Sequence, residues 1–155
     1  MIFSPGRFLE SPAMLTSKIS LLVSLAVLLG VLVVQPSQGQ TWANFQRKHI
    51  DYPKSKAPNP NAYCNRLMKM RQMTEKHCKI HNTFINNAPE NVQQMCQGSG
   101  SHSVIDSRVA YPMIDCHYLD GKPPNDCEYQ GTQQVKHICV TCENNLPVHF
   151  NQIIP

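Results

Sequence analysis

Cys78-Lys79-Ile80-His81-Asn82-Thr83-Phe84 is the stretch on which the reading of this chain turns. A cysteine, a lysine, a histidine, an amide and a hydroxyl stand within seven residues of one another. Read alone, Lys79 fits a solvated surface lysine. Six more cysteines surround the stretch: Cys64, Cys96, Cys116, Cys127, Cys139 and Cys142. A domain of this size buries a limited core, and so many cysteines point to covalent staples formed in an oxidising compartment. Seven is odd, so one cysteine is left over.

Upstream, residues 21–34 form an apolar run broken only by Ser24 and Gly30, with Lys18 before it and Ser37-Gln38-Gly39 after it. A basic start, an apolar centre and small residues at the end describe a secretory signal peptide. The run falls short of the roughly 20 apolar residues that a comfortable membrane span needs. A retained signal anchor is the other reading; Met14 is an alternative start. Residues 1–39 are therefore assigned to a signal peptide and 40–155 to one domain, with no stable membrane insertion after cleavage. Localisation is expected to be secreted and extracellular. Arg7, Lys18 and Glu10 fall in the leader, so the remainder carries 12 basic and 9 acidic residues, a net +3. That charge suits a polyanionic partner and is too small for membrane disruption by charge alone.

Downstream of the leader, helical spacing appears over residues 42–51, 62–71 and 88–97, the last with Pro89 at the first helical position. After Cys96 the pattern turns to strands over 103–110, 113–119, 127–130, 134–142 and 148–154. Tyr111-Pro112, residues 120–124, Gly131 and residues 143–145 separate them. Helices first and mostly antiparallel strands after them predict an α+β fold.

His49 lies near the start of this domain and His149 near its end, in Val148-His149-Phe150. A single histidine on a helix face is more often structural than catalytic. His149 between two apolar residues equally fits a half-buried strand position. Two histidines from opposite chain ends can nevertheless meet in a fold, one neutral as base and one charged as acid. A lysine beside them can offset charge building on a phosphate. RNA carries its own nucleophile, the 2′-OH, so such a set needs neither metal nor cofactor.

The C-K-x-x-N-T-F pattern of residues 78–84 resembles the signature of the pancreatic ribonuclease (RNase A) superfamily. Phe45-Gln46-Arg47-Lys48-His49, Tyr63-Cys64-Asn65, Asp115-Cys116, Cys127-Glu128-Tyr129, Val135-Lys136-His137-Ile138, Cys142-Glu143 and Pro147-Val148-His149-Phe150 resemble its other blocks. The likeness runs from about Phe45 to Phe150. It implies three short helices with a bent antiparallel sheet, stapled by Cys64–Cys116, Cys78–Cys127 and Cys96–Cys142. It implies an endoribonuclease cutting single-stranded RNA 3′ of pyrimidines through a 2′,3′-cyclic phosphate. His49 is then the base, His149 the acid and Lys79 the cation. Substrate contacts would come from Lys48, Asn82, Thr83, Glu143 and Phe150, with Thr83 reading the base and Glu143 near the next one. RNA is the expected partner, and a cytosolic ribonuclease inhibitor a further one.

Some positions depart from the family pattern. Lys48 stands where many members have glutamine. Asn151 stands where many have an aspartate orienting the acidic histidine; its carbonyl is expected to accept from that imidazole without adding charge. Asn44 replaces a common basic residue. The 19 residues between Cys96 and Cys116 hold no cysteine, so a fourth staple common in the family is missing. Cys139 is the odd cysteine, expected as a small buried apolar group or, if exposed, as a dimer link in an otherwise monomeric protein. A secreted host-defence or signalling protein with weak catalysis is the alternative function.

Overall fold

The computed structural model describes residues 39–155, so all of the expected signal peptide but Gly39 lies outside the described residues. The elements run α1 (Trp42–His49), α2 (Pro60–Met70), β1 (His81–Ile85), α3 (Pro89–Gln93), a 3-10 turn (Gln94–Cys96), β2 (His102–Asp106), β3 (Tyr111–Asp120), β4 (Glu128–Glu143) and β5 (Leu146–Ile154). This is the expected α+β fold. Among the described residues no helix is long and apolar enough to cross a membrane.

Local chemistry sets the helix limits. Thr41 Oγ1 accepts from the Asn44 N–H at 3.1 Å and caps α1. Asn59 Oδ1 accepts from the Ala62 N–H at 2.8 Å, and Pro60 takes the first helical position of α2. The helix therefore begins two residues before the expected residue 62, because a proline at that position needs no N–H partner and starts a helix rather than breaking one. At its other end α1 stops at His49, short of the expected residue 51. Ile50 turns extended and bridges Ile85, and the Asp51 N–H donates to the Ile85 carbonyl at 3.0 Å. The end of α1 is thus tied to the end of β1.

β4 carries the sheet. Its first half, Glu128 to Lys136, pairs with β3, which pairs in turn with β1. Its second half, from His137, lies between β5 and β2. All these pairs are antiparallel. Register shifts at Cys139/Val140 and Thr141/Cys142 add twist to the second half, and the sheet curls. The sequence pattern divides β4 at Gly131, but the strand runs straight through. A Cβ at Gly131 would stand 2.2 Å from the Pro60 carbonyl oxygen. The glycine marks the close approach of α2, not a turn.

β1 is absent from the expected strands. Four consecutive residues, Asn82 to Ile85, are buried, so the strand shows no alternation. Phe84 enters a core with Tyr63, Leu67 and Met68 of α2 and with Ile114 and Tyr129. Ile85 enters a second core with Phe45 of α1, Val92, Met113, Ile138 and Val140. A strand covered on both faces loses the period-2 signal.

The three disulfides join Cys64 to Cys116, Cys78 to Cys127 and Cys96 to Cys142, as the family resemblance implied. The first two lie in the first core and the third in the second. They span 52, 49 and 46 residues, for which loop-closure entropy gives about 4 kcal/mol each. Cys139 is unpaired and buried, only 6% exposed. At that burial the thiol is not presented at the surface for the dimer link considered from the sequence.

Candidate active site

α1 packs against both β1 and β5. The last residue of α1, the approach to β1 and the middle of β5 consequently face one cleft of about 260 Å³. His49, Lys79 and His149 line it, together with Lys48, Asn82, Thr83 and Phe150. Residues separated by a hundred positions are gathered there by helix and strand packing.

His49 is buried. Its Nδ1 lies 2.9 Å from the Thr83 carbonyl oxygen. A carbonyl brings no proton, so Nδ1 donates, and a neutral ring keeps its lone pair on Nε2. The Phe45 and Phe150 rings stand 5.1 and 5.0 Å from the imidazole, centre to centre. Burial, with smaller contributions from the charges of Lys79, Lys48 and His149, pulls the His49 pKa down to about 3, against the hydrogen bond to Thr83. The ring is neutral at neutral pH and can accept a proton.

Lys79 Nζ donates to Asn82 Oδ1 at 2.9 Å, and Asn82 Nδ2 donates to the Lys48 carbonyl at 2.8 Å. Asn82 therefore couples the lysine to α1. Burial, then the charges of Lys48 and Arg47, lowers the Lys79 pKa to about 8. That still leaves the ammonium mostly protonated at pH 7. Lys48 and Lys79 both line the cleft, and two cations there suit a phosphate.

His149 is exposed, and its ring makes no hydrogen bond among the described residues. Asn151 does not support it as expected. Its Oδ1 accepts from the Thr141 hydroxyl at 2.9 Å, and its Nδ2 donates to Cys139 Sγ at 3.6 Å. The neighbouring strand satisfies the amide before the imidazole does. Glu143 is not brought into the cleft either. It ends β4 opposite His102, with Oε1 3.8 Å from the His102 Nδ1.

Sequence reasoning missed Asp115. The Thr83 hydroxyl donates to Asp115 Oδ1 at 2.7 Å. His81 Nε2 reaches the same oxygen at 2.5 Å, and His117 Nε2 reaches Oδ2 at 2.8 Å. Burial would raise the Asp115 pKa; hydrogen bonds from His81 and Thr83, the His81 charge and the His117 hydrogen bond together hold it below the usual carboxylate range. The signal was two period-2 pairs, His81/Thr83 and Asp115/His117. It becomes visible only once β1 is registered on β3, with Thr83 opposite Asp115 and His81 opposite His117.

A family model described as pancreatic ribonuclease matches residues 40–151. This chain belongs to the pancreatic ribonuclease family. The pancreatic ribonuclease of Iguana iguana is 42% identical over 118 residues, 74% of this chain and 99% of that protein. The pancreatic ribonuclease of Acomys cahirinus is 38% identical over 141 residues, 84% and 94% of the two chains. The crystal structure of green turtle egg white ribonuclease matches with a TM-score of 0.66 at 32% identity, over 73% of this chain and 98% of that one. The pancreatic ribonuclease scaffold here therefore keeps three staples, with α1, β1 and β5 around one cleft.

Proposed function

We propose that this chain is a secreted endoribonuclease that cuts single-stranded RNA 3′ of pyrimidines. The observation that carries the proposal is the meeting of His49, Lys79 and His149 on one cleft of about 260 Å³. His49 Nε2 removes the proton from the 2′-OH, and the 2′-oxygen attacks the adjacent phosphorus. His149, protonated, gives its proton to the departing 5′-oxygen. The products are a 2′,3′-cyclic phosphate and a free 5′-OH; hydrolysis of the cycle reverses the two roles. The Lys79 ammonium offsets the charge that builds on the non-bridging oxygens. DNA lacks the nucleophile and is inert.

In this reading Thr83, which lines the same cleft, meets the base attached to that 2′-OH. Its hydroxyl proton is engaged by Asp115, which leaves the oxygen lone pairs to accept from a base N–H. Uracil offers such a donor at its pairing edge. Secretion is supported by the leader and by the staples.

The test is incubation of the protein with uridylyl and cytidylyl dinucleotides, reading cyclic phosphate ends. Cleavage is expected, with none on the deoxy analogues and a rate lower by about 10²-fold or more in His149→Ala. Intact dinucleotides after exposure to well-folded protein would overturn the proposal. Asn151, turned toward Thr141 and Cys139, favours one second reading: a host-defence or signalling protein with weak catalysis. That reading requires a His49→Ala/His149→Ala double variant to keep its bioactivity.

A further inference from the structure

His81, Asp115 and His117 project from one face of β1 and β3, at the edge of the cleft. We propose that these three side chains form a binding site for a borderline transition-metal dication of the Zn²⁺ type. It is separate from the reacting groups, and no step of the proposed cleavage runs through it.

Strand register builds the site. His81 faces His117 across the β1–β3 pair, and Asp115 lies two residues before His117, on the same face. One ligand atom from each of the three lies within 4.8 Å of the others. The two imidazole rings stack at 4.3 Å and 14°, each with Nε2 turned to the same carboxylate. Asp115 itself is buried and held by Thr83, whose hydroxyl donates to the same Oδ1 that His81 meets. The anionic ligand is thus already held in place, while the two histidines have side chains 46% and 53% exposed and are free to adjust.

The chemistry favours a dication. At present an N–H proton stands between each Nε2 and the carboxylate. An ion can take over that bridging position if each neutral ring carries its proton on Nδ1 instead. Zn²⁺ bonds nitrogen and carboxylate oxygen at about 2.0–2.2 Å. Its tetrahedral ligands therefore stand roughly 3.3 Å apart, and the exposed rings need shift only about an ångström. Two imidazoles exclude Mg²⁺ and Ca²⁺ as the preferred ions, and a fourth position remains for water. Both rings must be neutral, so binding weakens in acid. Where the ribonuclease reading holds, the ion would compete with Thr83 for Asp115 and so alter base choice.

Metal binding itself is read out, so the test does not depend on catalysis. Protein recovered from cells expressing the full chain is titrated with Zn²⁺ by calorimetry and with Co²⁺ by visible absorption. One ion per chain and a tetrahedral Co²⁺ band are expected. His117→Gln, at a half-exposed position outside the cleft lining, should weaken binding by roughly tenfold or more, since even outer-shell losses cost that much. The His49→Ala/His149→Ala double variant should bind as the parent does. Unchanged affinity in His117→Gln would overturn the site. So would loss of binding in the double variant, which would assign the ion to the cleft histidines.

Discussion

The two histidines of the cleft are held in opposite ways. His49 is buried between two aromatic rings, its Nδ1 fixed on the Thr83 carbonyl and three positive groups nearby. His149 is exposed on β5 and is unsupported by Asn151. The fold determines both the charge and the tautomer of the first. The second is held by no hydrogen bond among the described residues. In the mechanism proposed above a base must be neutral and an acid charged at the same pH, and opposite surroundings would let two identical side chains divide those tasks.

Breaking either half should cost the most. His49→Ala and His149→Ala are each expected to lower kcat/KM on uridylyl dinucleotides by about 10²–10⁴, the usual range for a positioned acid or base. Steady-state assays at neutral pH check this. Next comes Lys79→Ala, expected to lower kcat by about 10²–10³, as for removal of one preorganised charge-stabilising group. KM should change less than kcat, because the ammonium acts on charge that develops in the transition state.

The pH dependence sharpens the contrast. The folded-state pKa of His49 is about 3, below the roughly 6.5 of an unfolded-chain histidine. Between those values the unfolded chain takes up a proton that the folded chain does not. This contribution to stability is thus fully present above pH 6.5 and is lost progressively as pH falls toward 3. Denaturant midpoints measured across that window should fall for the parent and fall less steeply for His49→Gln. Equal slopes would mean that burial does not hold the ring neutral.

The smallest effect is expected from Asn151→Asp. A carboxylate at that position would favour the charged form of His149, moving the alkaline limb of kcat/KM upward by about one pH unit or less, the equivalent of at most about 1.4 kcal/mol. A pH–rate profile reads the shift. No movement would mean that residue 151 stays engaged with Thr141 when it is charged.

Much of this contrast was legible in the sequence. The residues His49, Lys79 and His149, the six paired cysteines and the order of helices before strands could all be read from pattern and resemblance. What escaped has physical reasons. β1 hid because its residues are covered on both faces and do not alternate. Gly131 looked like a break because a single sequence does not show that Pro60 presses against it. Asn151 was given to His149, but a Thr141 hydroxyl on the next strand claims it. Glu143, expected near a downstream base, ends β4 beside His102, outside the cleft lining. Asp115 passed as a neighbour of Cys116, since its partners Thr83, His81 and His117 come together only through strand register. Local chemistry was readable; what depended on cross-strand pairing was not.

The division of labour between the two histidines can be tested by removing the need for an acid. A uridine 3′-phosphodiester with a p-nitrophenyl leaving group departs without protonation. On that substrate His149→Ala should approach the parent rate, and His49→Ala should stay impaired. Equal impairment of the two variants, or rescue of His49→Ala instead, would contradict the assignment of base and acid.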